Sequence, residues 1–242
     1  MMSKIKAAFS KLIKKLIKSV QRFPETIVVV TLVVFIAILL NHESGQWLED
    51  CLMSLTLGLP LFSAFKLFLE RKPLALKWRV IGDVLITALL TGYYFIIPSG
   101  EDQLFMIRFI TMMGIFYLMF LLIPYFYKRK NFSVYCLKLV ANFFITYLYT
   151  LVLYLGVIAI IFTVDQLFAL NIDETIYLDL FFVAVGIFGV TYFLSNMPQF
   201  EDTLTIESYP VVIKVLIIAI LMPLVTAYTV VLYAYFAKIL FG

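Results

Sequence analysis

The sequence predicts an all-α fold: a polytopic transmembrane helix bundle of about seven spans with a cytoplasmic N-terminus. Three observations carry that expectation. Hydrophobic residues make up 64% of the 242 residues, charged ones 14%, and the mean hydropathy is +1.04, whereas a soluble domain holds about 45–50% apolar and about 25% charged residues. The apolar residues form long continuous runs, and Lys and Arg gather in alternate connections between them. Such a chain needs lipid as its solvent, which excludes a soluble enzyme, a nucleic-acid-binding domain and a secreted disulfide scaffold.

A span must cross about 30 Å of hydrocarbon, roughly 20 residues at 1.5 Å each. The first run, Pro24 to Leu40, is purely apolar only from Ile27, and Phe23 and Pro24 lengthen it, because Pro suits a first helical turn. Leu48 to Leu69, Val80 to Ile97 and Leu104 to Tyr127 follow, then Val134 to Phe162, Ile176 to Leu194 and Tyr209 to Phe241. The fifth and seventh runs exceed the bilayer thickness and should tilt or protrude. None alternates in the way a lipid-facing strand does. Tyr93, Tyr94, Tyr125, Tyr127, Tyr135, Tyr177 and Tyr209 lie near the expected boundaries, where an amphipathic ring is at home.

Orientation follows from the connections. Lys4, Lys6, Lys11, Lys14, Lys15, Lys18 and Arg22 precede the first span, while Asn41 to Trp47 has no base. Arg71, Lys72, Lys77 and Arg79 fill the next connection, Pro98 to Gln103 has none, Lys128, Arg129 and Lys130 follow, and Thr163 to Thr175 has none. The alternation places the N-terminus inside and, with seven spans, the C-terminus outside. Ser195 to Ser208 carries Glu201, Asp202 and Glu207 without a base; acidic residues weigh little in this rule, and Lys214 alone supports its inner placement. Cys51 and Cys136 then fall on opposite sides and are expected to be free thiols.

Residues 1–22 form a separate element ahead of the bundle at 23–242. Ile5, Phe9, Leu12, Ile13, Leu16, Ile17 and Val20 recur at helical spacing and lysines fill the other face. This is the pattern of a basic amphipathic helix in the cytoplasmic headgroup layer, where each base near anionic lipid contributes roughly 1 kcal/mol. It is not a signal peptide, since its basic part is too long and no small-residue cleavage site follows. The same lysines also serve simply to set topology.

Ionisable groups inside spans are costly, by about 2.5–3.5 kcal/mol at the centre, and each is a candidate functional position. Asp83 lies near the inner end of the third run, with Arg79 at i−4 and Lys66 on the second run, so a structural ion pair stands beside a proton or cation relay. Arg108 lies one turn into the fourth run, where it can snorkel or meet Glu101 or Asp102. Lys138 and Asn142 share a face of the fifth, and Asp179 lies near the outer end of the sixth. None sits at the midplane, where a coupled transporter usually keeps its chemistry.

Helix breakers do occur at depth. Pro60 follows Gly58, and Pro223 divides the seventh run beside Thr226, Tyr228 and Thr229, whose hydroxyls can reach freed carbonyls. A packed kink and an ion or solute site are both compatible with this. Gly156, Gly186 and Gly189 read as close-packing positions. No catalytic, cofactor-binding or metal-ligating constellation emerges: His42 and Glu43 lack a second histidine, and no nucleophile elbow, phosphate loop or cysteine cluster exists. The acidic pairs, Glu49 and Asp50 among them, read as solvated caps, and an outer-face metal enzyme using His42, Glu43, Glu49 and Asp50 is a minor alternative.

Leu57 to Arg71 (LGLPLFSAFKLFLER), Phe193 to Asp202 (FLSNMPQFED) and Tyr209 to Leu240 together resemble the bacterial multi-pass membrane family called domain of unknown function 4153. The resemblance covers most of the chain in order. It implies a protein of the bacterial cytoplasmic membrane and supplies no reaction, cofactor or site residue. It also implies that this chain corresponds to the N-terminal portion of longer relatives or to a short member. The expected role is a non-enzymatic membrane anchor or scaffold, with the lipid bilayer and anionic lipids as partners; the alternatives are a permease for a small solute or lipid and, third, an outer-face enzyme.

Overall fold

The computed structural model describes residues 2–71, 75–96, 103–127, 132–197 and 220–241, and over these the chain is all-helical. α1 spans Met2–Arg22, α2 Pro24–His42, α3 Gln46–Arg71, α4 Leu76–Ile96, α5 Gln103–Tyr127 and α6 Phe132–Phe168. α7 (Thr175–Phe182) passes through a π-helical segment, Val183–Gly189, into α8 (Val190–Ser195), and α9 covers Met222–Phe241. Seven stretches are long and apolar enough to cross a membrane: Pro24–His42, Gln46–Glu70, Lys77–Ile96, Phe105–Ile123, Tyr135–Phe168, Thr175–Ser195 and Met222–Ile239. Each overlaps one expected run. The chain has the make-up of a multi-pass membrane protein.

Helix ends have local causes. Pro24 opens α2, and the Glu43 N–H closes it by donating to the Leu39 carbonyl at 2.7 Å. α6 corrects an expectation, since its helix continues past Phe162 through residues read as loop. Thr163 Oγ1 donates to the Ala159 carbonyl at 2.7 Å, Asp165 accepts the Ile172 N–H at 2.9 Å, and the chain leaves the helix only where Ala169 and Asn171 adopt φ of 51°. Polarity marks where the apolar stretch ends, which is not where the hydrogen-bond ladder ends. At 37 residues, α6 is about 55 Å long, well beyond the hydrocarbon thickness. Most of Ser195 to Ser208 and the first part of the expected seventh helix lie outside the described residues.

The chain divides into two compact units, Val20–Lys138 and Met1–Ser19 with Leu139–Gly242. In the first, α3 is the hub and packs against α2, α4 and α5. Its apolar window is 56% buried, against 6% for that of α4 and 11% for that of α5. Val29, Leu57, Leu61, Phe62 and Leu90 form its core. Lipid is as apolar as leucine, so close contact rather than water exclusion holds such helices together. Glycine provides that contact: the Phe65 ring sits directly on Gly82, and Leu90 Cδ1 lies 2.9 Å from where a Cβ of Gly58 would stand.

In the second unit Leu12, Tyr149, Tyr192 and Ile220 form the core. Tyr149 meets Tyr192 at 5.1 Å between centroids, Phe188 stacks on Tyr192 at 5.7 Å, and Leu224 packs onto Gly156. α1 divides its apolar residues. Leu12 and Leu16 join this core, Lys15 Nζ donates to Asn196 Oδ1 at 3.1 Å, and Ile13 and Ile17 stay exposed.

Candidate functional site

One end of α3 gathers charge. Arg22 donates from Nε and Nη2 to both carboxylate oxygens of Glu70 at 2.7 and 2.8 Å, a forked pairing that fixes the end of α1 to α3. The guanidinium also lies 5.0 Å from the centroid of the buried Phe23 ring. One turn back along α3, Lys66 Nζ stands 3.6 Å from Glu25 Oε2, and below that pair the buried hydroxyls of Thr26 and Ser63 meet at 3.3 Å.

Asp83 on α4 is half-buried, with Glu25, Lys66 and Arg79 as its charged neighbours through space. Among the described residues it closes no ion pair, although its spacing from Arg79 permits one. Lys66 is taken by Glu25, which α2 delivers alongside α3. That choice is made by helix packing, which local spacing does not report.

Pro60 is buried within an uninterrupted α3. Its missing N–H leaves the Thr56 carbonyl without its helical donor. The nearby hydroxyls bond one turn back, Thr56 to the Leu52 carbonyl at 2.6 Å and Ser63 to the Leu59 carbonyl at 2.7 Å. On α9, Pro223 is the second residue of the helix and is exposed, as are Thr226 and Tyr228. Thr226 bonds the Met222 carbonyl and Thr229 the Val225 carbonyl, both at 2.8 Å. The carbonyl that Pro223 frees belongs to residue 219, outside the described residues.

A polar seam runs along α6 in the second unit. Asn142 is buried and its Nδ2 donates to the Phe193 carbonyl at 2.8 Å, whereas Lys138, one turn before it, is half-buried. Thr146 and Thr150 continue the row, each 6% exposed, and among the described residues their hydroxyls have no hydrogen-bond partner. Thr150 Oγ1 lies 3.2 Å from where a Cβ of Gly189 would stand, at the end of the π segment. Sequence reading found Asn142 and missed the two threonines. The i, i+4 repeat of Asn142, Thr146 and Thr150 was the available signal.

Arg108, on α5, lines a groove of about 330 Å³ between the end of α4 and the start of α5. Tyr93, Ile96, Phe105, Thr111 and Met112 line it, so its wall is mostly apolar. Arg108 has no hydrogen bond or ion pair among the described residues, and Glu101 and Asp102, the partners expected for it, lie outside them. Cys51 and Cys136 are free thiols. Among the described residues no three His, Cys, Asp or Glu side chains gather within metal-binding range, so His42, Glu43, Glu49 and Asp50 do not form such a group.

A family model described as domain of unknown function (DUF4153) covers residues 26–242. No curated protein and no solved structure matches the chain.

Proposed function

Starting from the fact that the chain belongs to the DUF4153 family, which carries no assigned reaction, we propose that it acts as a non-enzymatic anchor or scaffold in the bacterial cytoplasmic membrane. The observation that supports this most is how four charges of the Val20–Lys138 unit are used. Arg22 with Glu70 and Lys66 with Glu25 tie α1 and α2 to α3. Charges engaged in this way hold helices in place rather than line a path.

The orientation in this reading is N-terminus inside, supported by the alternation of basic connections. α1 rests on the cytoplasmic face, with Leu12 and Leu16 toward protein and with Ile13, Ile17 and the lysines toward anionic lipid. A permease is the second reading, favoured by the unpartnered Thr146 and Thr150 hydroxyls beside the π segment, since π-helical turns recur at functional sites.

The test is photo-crosslinking from Leu118, an exposed residue of α5, in intact cells, combined with solute uptake by vesicles holding the full chain. A scaffold gives a discrete protein adduct of fixed stoichiometry and no uptake. Uptake that Thr150→Val abolishes, with lipid adducts only, contradicts the scaffold and favours the permease.

A further inference from the structure

The groove between α4 and α5 assigns a ligand by its chemistry. Tyr93, Phe105, Met112, Ile96 and Ile107 give it aromatic and aliphatic walls, and among the described residues Arg108 is the only charged one that lines it. At about 330 Å³ it falls at the lower end of the range of small-molecule sites, roughly 300–1,000 Å³. An apolar trough lined by one guanidinium matches an amphipathic anion, an acyl chain with a phosphate at its end.

Depth points the same way. Arg108 is five residues past Gln103, the first residue of α5, and therefore about 7.5 Å along the helix. The layer between hydrocarbon edge and water is about 5–7 Å thick on each side, by the difference between total and hydrocarbon thickness. Counted from Gln103, the Arg108 backbone falls near the hydrocarbon edge, from where its long side chain can snorkel outward to the level of lipid phosphates. The Thr111 hydroxyl donates to the Ile107 carbonyl at 2.7 Å, and no anionic side chain lines the groove beside Arg108 among the described residues. An arginine fork suits a phosphate's paired oxygens better than a lysine point charge does.

We infer that this groove is a binding site for one anionic phospholipid, with an acyl chain along Phe105 and Met112 and its phosphate on Arg108. The inference rests on the membrane reading given above and is independent of the scaffold role. It is also separate from any binding by the lysines of α1.

The experiment uses the full chain with Lys4, Lys6, Lys11, Lys14, Lys15 and Lys18 changed to Gln, which removes the lysines of α1 as a second source of lipid charge. The protein is reconstituted in vesicles of phosphatidylcholine with one-tenth phosphatidylglycerol, extracted in mild detergent and examined by native mass spectrometry. The expected result is one retained phosphatidylglycerol, enriched about tenfold over its share of the vesicle, as a charge-assisted contact warrants. Arg108→Gln should remove that enrichment and Arg108→Lys should keep part of it. Ile107→Trp, which fills the groove and leaves the cation in place, should also remove it and covers the case in which Arg108→Gln fails to fold. Equal retention of both lipids by the starting protein, or enrichment unchanged in Arg108→Gln and Ile107→Trp, overturns the site. A chain that does not insert into the vesicles at all overturns the membrane reading and this inference with it.

Discussion

Both oxygens of the Glu70 carboxylate accept from the Arg22 guanidinium, at 2.7 and 2.8 Å. The two residues are 48 positions apart, and their side chains are 13% and 25% exposed. The pair locks the junction of α1 and α2 to the end of α3, the helix on which α2, α4 and α5 pack. Glu70→Gln should destabilise the protein by about 1–3 kcal/mol, the range for losing a charge-assisted hydrogen bond. A double-mutant cycle with Arg22→Gln, read by thermal unfolding in detergent, should give a coupling of the same sign. Additive single effects would show that the pair holds nothing.

The glycines separate into two kinds. A Cβ on Gly82 meets the Phe65 ring, whereas one on Gly92 or Gly114 meets nothing within 4 Å. Gly82→Ala should therefore cost about 1–3 kcal/mol by overpacking, with relief from Phe65→Leu. Gly92→Ala and Gly114→Ala should be neutral or stabilise by up to about 1 kcal/mol, through helix propensity alone. Equal melting temperatures for all three single variants would contradict the packing described for α3 and α4.

The seam on α6 makes opposite predictions for neighbouring turns. Asn142→Leu removes the bond to the Phe193 carbonyl and leaves that acceptor unpaired, at a cost of about 1–3 kcal/mol. Thr150→Val keeps the shape and removes a buried hydroxyl that has no partner among the described residues, so it should be neutral or stabilising by up to about 1 kcal/mol. If Thr150→Val destabilises as much as Asn142→Leu, a bonded group such as an ordered water must sit on that hydroxyl.

α1 docks through a small contact. Leu12→Ala, removing a side chain that is 8% exposed in the core with Tyr149 and Tyr192, should release the helix at a cost of about 2–3 kcal/mol. Faster amide exchange confined to residues of α1 is the expected reading. Changing Lys4, Lys6, Lys14 and Lys18 to glutamine, which spares the Lys15 bond to Asn196, should instead leave exchange unaltered and weaken attachment to anionic vesicles.

The elements that sequence displayed are those written in composition. Seven apolar runs correspond to seven long helices because a lipid-soluble helix must be apolar along its whole length, and that needs no tertiary information. Partner choice was not displayed. Lys66 pairs with Glu25 rather than Asp83 because α2 lies against α3, and nothing in the spacing of α4 reports that. The extension of α6 to Phe168 was hidden by Thr163 and Asp165, whose side chains bond the backbone of the helix they were read as ending. The π segment at Val183–Gly189 lies in an apolar run that looks like ordinary helix, with only Gly186 and Gly189 to hint at a local irregularity.

The central claim, a multi-pass chain with its N-terminus inside, is tested most directly by labelling with a membrane-impermeant maleimide in intact cells. The natural thiols Cys51 and Cys136 are free and should label from outside and inside respectively. Both are partly buried, so a chain lacking them and carrying Ser44→Cys or Ser10→Cys, at positions that are exposed, gives the clearest signal. Ser44→Cys should react in intact cells and Ser10→Cys only after the membrane is opened. Reaction of Ser10→Cys in intact cells, with protection of Ser44→Cys, would contradict the orientation, and reaction of neither after opening would contradict the exposure of both segments.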